Sequence, residues 1–202
     1  MRYNQAKSTR TMTSTFENAI CTAAGLTFRF DAPSPDDISF EDVASSLSKI
    51  CRFTGHTKEF YSVAEHSCLV MQIVNDLMGG EAPREIQVAA LLHDAPEAYV
   101  NDVSTPLKRM LPDYRAVEHR VWAAVAQKFG IPEELPKIVK VADKLAYIIE
   151  RNQLMPARAA EIDKVTGFGI DLISPELCVV PLQPKQALKL FNRQAKRLGI
   201  TS

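Results

Sequence analysis

The sequence predicts an all-α protein folded as one domain, and three observations predict it. Apolar residues recur at the three-to-four-residue spacing of amphipathic helices through most of the chain. Helix start and stop signals bracket those stretches. The third is size: 202 residues, 46% hydrophobic and 24% charged, suit one core built without disulfides or a structural metal.

Residues 1–15 are polar and rich in Thr and Ser and are expected to form a flexible N-terminal arm, leaving 16–202 as the domain. Gly25 to Phe30 alternates as GLTFRF and predicts a short extended stretch or small hairpin, which Asp31-Ala-Pro-Ser-Pro breaks. Ser39 opens a helix whose inner face is Val43, Leu47 and Ile50, with Asp42 completing an imperfect capping box. A polar and aromatic loop, CRFTGHTKEFYS, ends at a proper capping box of Ser62 and Glu65. The helix after it carries Val63, Val70, Ile73, Val74 and Leu77 inward and stops at Gly79-Gly80.

Pro83 starts the next helix, which runs through the apolar Val88 to Leu92 straight into His93 and Asp94. Pro96 disrupts its continuation, so Glu97, Tyr99 and Asp102 are expected on an irregular passage. Pro112 begins a helix through Val117, Val121, Val125 and Phe129, closed by Gly130. A helix from about Pro136 to Met155 should bury Ile138, Val141, Ala142, Leu145, Ile148 and Ile149. Beyond Pro156 the pattern degrades into an irregular connection, until Pro184 to Leu198 reads as a terminal amphipathic helix.

The stretch VAALLHDAPEAYVND draws chemistry into this frame. An apolar run leads into His93 and Asp94, with Glu97 and Asp102 close behind, and buried charges without partners cost several kcal/mol, on the order of the pairing energies they forgo. An imidazole beside a carboxylate is a fragment of a metal site that wants about four protein ligands, or three plus solvent. Of the four histidines, His66 falls inside the apolar arc of its helix, so it points at the core. Asp143 is the one carboxylate in VKVADKLAYII. It lies off the centre of its apolar stripe, beside Val139, Ala146 and Tyr147, where a solvated Asp would look similar, and is available as a fourth ligand after His66, His93 and Asp94. Two imidazoles with two carboxylates suit Mn²⁺, Co²⁺, Zn²⁺ or Fe²⁺ better than Ca²⁺.

The order His66, His93-Asp94, Asp143 resembles the HD-domain metal-dependent phosphohydrolases, over about Ile38 to Met155. Within them it is most similar to bacterial 5'-deoxynucleotidases and phage dATP triphosphohydrolases, which carry an Arg-aromatic pair, a Glu three residues after the HD Asp, then an Asp and a Lys. Here those are Arg52-Phe53, Glu97, Asp102 and Lys108, with Phe53 where that group often has Trp. The resemblance implies an HD-type helical bundle and one bound divalent ion, Mg²⁺ being an option with a triphosphate substrate. It assigns catalysis to Glu97, Asp102 and Arg52, and substrate binding to Arg52, Phe53 and Lys108. It further implies hydrolysis of deoxynucleoside 5'-monophosphates, or else release of triphosphate from dATP, and a homo-oligomer. Phe60 and Tyr99 are candidates to stack on a base. A non-catalytic metal-binding helical module is the alternative from another class.

The remaining polar signals read as background. His56 either lines the pocket or sits in solvent, and His119, between Glu118 and Arg120, reads as exposed or salt-bridged. A formal net charge of zero gives no polyanion-binding surface, so the expected partner is a small nucleotide and not nucleic acid. Four cysteines without CxxC spacing fit a reducing cytoplasm, a host cytoplasm if the source is viral. No apolar run reaches the ~18–20 residues of a membrane span, and the polar start lacks the apolar core of a signal peptide.

Overall fold

The computed structural model describes residues 17–163 and 177–200, and the expected N-terminal arm lies outside them. Helices dominate, as the periodicity predicts. In chain order they are α1 (Phe40–Leu47), α2 (Val63–Leu77), α3 (Arg84–Leu92), α4 (Glu97–Val100), α5 (Thr105–Lys108), α6 (Pro112–Phe129), α7 (Lys137–Leu154), α8 (Arg158–Asp163) and α9 (Pro184–Arg197).

The expected hairpin is present as antiparallel β1 (Ala19–Cys21) and β2 (Thr27–Arg29), with Ile20 opposite Phe28. It packs into the core through Phe28. Phe28 is fully buried and stacks on Tyr99 at 4.0 Å, so Tyr99 is core and not the base platform the sequence suggested. Asp42 ties the hairpin turn to α1 by accepting from Ala24 N–H at 2.7 Å, while Ser39 caps that helix by accepting from Asp42 N–H.

α2 is the axis of the molecule. Its Ser62–Glu65 capping box forms as predicted, and it is buried almost from end to end because α3, α7 and α9 all pack on it. Glu65 also accepts from Leu182 N–H at 2.7 Å, which lays the strap before α9 across the start of α2. Placing a polar group on such a central helix is costly unless something satisfies it, so His66, fully buried there, requires a partner.

The differences from expectation have local causes. α3 stops at Leu92, before Pro96, as expected, but the passage after it is not irregular throughout: a proline is compatible with a first turn, so Glu97–Val100 forms the single-turn α4. Thr105–Lys108 is likewise one helical turn, with Pro106 near its start. On α7, Val139 is fully buried while Val141, expected in the core, is 44% exposed, a rotation of the stripe set by contact with α2. Arg158–Asp163 is helical where an irregular connection was expected, and 164–176 of that connection lie outside the described residues. No helix among the described residues is long and apolar enough to cross a membrane.

Candidate metal centre and cleft

Three pieces of chain converge on one point. His66 enters from the first turn of α2, His93 and Asp94 from the turn that ends α3, and Asp143 from the second turn of α7. His66 Nε2 lies 3.1 Å from Asp143 Oδ1 and 3.4 Å from Asp94 Oδ2. His93 Nε2 lies 3.2 Å from Asp94 Oδ2 and 3.8 Å from Asp143 Oδ1. Donor atoms that share one ion at bonds of about 2.0–2.2 Å sit about 3–4 Å apart, so these separations fit a single ion. His66, His93 and Asp94 form a compact triad with donor atoms all within 4.8 Å of one another. Asp143, half-exposed, reaches in from the solvent side.

The imidazoles are oriented for ligation by their other nitrogens. His93 Nδ1 is 2.8 Å from the Ala90 carbonyl, and that carbonyl can only accept, so Nδ1 carries the proton and the Nε2 lone pair faces the cluster. His66 Nδ1 is 2.7 Å from Glu150 Oε1, with the same consequence. Both Nε2 atoms are buried without a hydrogen-bond partner among the described residues, a condition that a cation bound there would relieve.

Electrostatics make the same demand. Burial opposes ionisation of Asp94, yet His93 and then His66 outweigh it and hold the carboxyl down at about 2. Asp143 too is held well below the usual carboxylate range, the adjacent imidazoles of His66 and His93 outweighing its partial burial. His93 is raised well above its ordinary value, since the Asp94 charge overcomes burial. A cluster that stabilises positive charge on its imidazoles accepts a dication in place of those protons.

The other residues singled out by sequence surround this point. Arg52 is buried, with Nε and Nη2 on Glu150 Oε2 at 3.2 and 3.1 Å and Nη1 3.7 Å from Asp94 Oδ2. A tight bend delivers it: Phe53 and Thr54 both take left-handed backbone conformations (φ 53° and 54°), each costing about 1–2 kcal/mol. Phe53 stacks on Tyr147 at 5.6 Å beside the Arg52 guanidinium. Glu97 is buried, its Oε2 without a partner among the described residues and its Oε1 3.8 Å from Lys108 Nζ. Lys108, expected to bind substrate, is bonded to Glu118 at 2.5 Å, which neutralises it on one side. Asp102 is half-buried; burial raises its pKa against the pull of Arg52. His56 is exposed, and His119 is exposed with Glu133 3.7 Å away.

From His93 and Asp94 a cleft of about 780 Å³ runs along α6 to the segment before α7. Its far wall is Trp122 and Leu135, with the indole pinned by donation from Nε1 to the Glu133 carbonyl at 2.7 Å. Arg115, Glu118, His119 and Trp122 share one α6 face by spacing, a stripe in which the sequence singles out His119 alone.

Glu150 was missed as well. It stands seven residues after Asp143, two turns on and on the same face of α7, inside a stripe of Ala142, Leu145, Ala146 and Ile149. A carboxylate in such a stripe is the signal that finds it.

An all-α bundle that gathers imidazoles and carboxylates around one point, beside a cleft, presents a donor set that could hold a metal ion. The chain belongs to the HD-domain family, whose model matches residues 63–181 and whose members are mostly metal-dependent hydrolases. That span includes His66, His93, Asp94 and Asp143 and leaves Arg52 and Phe53 outside. The chain is similar to the uncharacterized protein YfdR of Escherichia coli K12, 44% identical over 180 residues, covering 89% of this chain and 95% of that one. It is also similar to an uncharacterized protein of Rhodobacter capsulatus, 38% identical over 142 residues, covering 67% of this chain and 72% of that one.

Proposed function

We propose that the chain hydrolyses the phosphate ester of 2'-deoxyribonucleoside 5'-monophosphates, with His66, His93, Asp94 and Asp143 holding one divalent ion. The observation that carries the reading is the pair of buried, unpartnered Nε2 atoms, each facing carboxylates of Asp94 and Asp143, at the mouth of a cleft of nucleoside size. When bound, the ion polarises a phosphoryl oxygen and acidifies water. Arg52 Nη1 faces the same point and offers a donor to the phosphoryl oxygens as charge redistributes. Glu97 and Asp102 handle protons: water adds to phosphorus, the P–O5' bond breaks, one proton leaves the water and one reaches O5'.

The cleft supports a monophosphate over a triphosphate. Beyond the metal residues it presents Arg115 and Lys140 against Glu118, Glu133 and Glu134, a poor lining for a polyphosphate chain and a tolerable one for a neutral nucleoside. Trp122 supplies a fixed aromatic face for the base. Its replacement by Ala is expected to raise KM about tenfold, roughly the ~1–3 kcal/mol of a base–aromatic contact at its lower end, with kcat little changed.

The test is a phosphate-release screen over nucleoside mono- and triphosphates, ribo and deoxy, with Mn²⁺, Co²⁺ and Mg²⁺ in turn. Orthophosphate release from deoxynucleoside monophosphates, abolished by EDTA and restored by metal, is the expected result. Triphosphate release from dATP alone would replace the substrate assignment. A protein isolated metal-free and indifferent to EDTA would leave only a structural helical bundle.

A further inference from the structure

Glu150 is fully buried, and both of its oxygens are occupied. Oε1 accepts from the Tyr61 hydroxyl at 3.0 Å and from His66 Nδ1 at 2.7 Å. Oε2 accepts from Arg52 Nε at 3.2 Å and Nη2 at 3.1 Å. A purely structural ion pair needs Arg52 alone. Here the same carboxylate also meets the far nitrogen of an imidazole whose near nitrogen lies 3.1 Å from Asp143 and 3.4 Å from Asp94.

We infer that Glu150 is a positioning residue that sets the metal centre and the phosphate-facing arginine in register, an inference that rests on the metal-centre reading. It acts in two directions. Toward His66 it accepts the Nδ1 proton, which fixes the tautomer, aims the Nε2 lone pair at the centre and increases its donor strength. Toward Arg52 it takes one edge of the planar guanidinium, leaving Nη1 directed at Asp94 Oδ2, 3.7 Å away. Because Asp143 and Glu150 lie on one face of the same helix, α7 carries both a group facing the ion and the group that orients a ligand from α2. Helix register alone thus couples the two.

The experiment is titration of the full-length Glu150→Gln protein with Mn²⁺ and Co²⁺, by calorimetry and by the visible spectrum of the Co²⁺ form. Metal-free melting temperature is measured alongside, so that folding and ligation are read separately. The expected result is Mn²⁺ binding weaker by about 10–100-fold, with an altered Co²⁺ spectrum, at temperatures where the variant is folded. Should the single variant fail to fold, the Arg52→Met, Glu150→Gln double variant, which leaves no unpaired buried charge, carries the same titration with the same expectation. A folded variant with wild-type Mn²⁺ affinity and an unchanged Co²⁺ spectrum overturns the positioning role and leaves Glu150 a structural anion. Wild-type protein that takes up neither ion overturns the metal centre itself, and the positioning role with it.

Discussion

Replacing Asp94 with Ala is expected to abolish metal uptake and to lower turnover by more than about a thousandfold. The carboxylate does three things at once. Its Oδ2 lies 3.4 Å from His66 Nε2 and 3.2 Å from His93 Nε2, so it closes the triad of potential ligands. It also lies 3.7 Å from Arg52 Nη1, so it balances the cation proposed to meet the phosphate. Finally, its charge is the chief reason His93 resists the burial that would strip its proton. Loss of a Lewis acid removes several kcal/mol of transition-state stabilisation, and about 4 kcal/mol is already a thousandfold.

A second readout needs no substrate. An ion that binds only the folded state at a hundred times its Kd adds about 2.7 kcal/mol, which raises the melting temperature of a domain this size by ~5–10 °C. Wild-type protein is expected to show that rise with Mn²⁺ or Co²⁺, and Asp94→Ala none. An equal rise in both proteins would place the ion elsewhere.

The sign of the pH dependence follows from the same groups. Ligation requires the unprotonated Nε2 lone pairs, and His93 is raised above its ordinary value while no ion is bound. Metal affinity therefore falls as pH drops toward and below the raised value, because protons compete for the positions that the ion takes.

The sequence carried the helices because their signals are local. The Ser62–Glu65 capping box, Pro112 and the left-handed Gly130 at the end of α6 all operate within one turn of chain, and each stands where spacing placed it. The convergence of His66, His93, Asp94 and Asp143 was legible for another reason. An imidazole on an apolar face, like a carboxylate at the end of an apolar run, is expensive without a partner, so His66, His93 and Asp94 already implied a meeting point. Asp143, beside its helix's apolar stripe, was legible only from its place in the ordered resemblance.

Rotation and second partners were harder to read. Whether Val139 or Val141 faces inward depends on how α7 sits against α2, a long-range fact that a stripe two residues wide does not specify. Tyr99 looked available to a ligand because it follows the HD turn; only the hairpin, 71 positions earlier at Phe28, takes its ring into the core. Glu150 was hidden by its neighbours Ile148 and Ile149 and by the charged Arg151, which make it look like the polar edge of the helix. Its meaning appears once Arg52, Tyr61 and His66 are seen around it, from three separate stretches of chain.

Glu97 separates chemistry from metal binding. It sits one turn after Asp94, buried, with Oε2 unpartnered among the described residues and with Lys108 Nζ 3.8 Å from Oε1. Burial above all, and then the charges of Asp94 and Asp102, push its pKa well above the ordinary carboxyl range. A cation held by Asp94 would offset the charges that keep Glu97 protonated, and Glu97 could then exchange a proton during turnover. Glu97→Gln keeps the volume and removes that exchange. The variant is expected to bind Mn²⁺ within about threefold of wild type, since Glu97 lies outside the triad of potential ligands, and to lose about 10²–10⁴-fold in kcat. Its pH profile assigns the role: disappearance of the acidic limb of kcat/KM marks Glu97 as the base that takes the proton of water, and disappearance of the alkaline limb marks it as the acid that protonates O5'. Full activity in Glu97→Ala with every substrate would refute the mechanism while leaving the metal centre in place, because the two are then carried by different side chains.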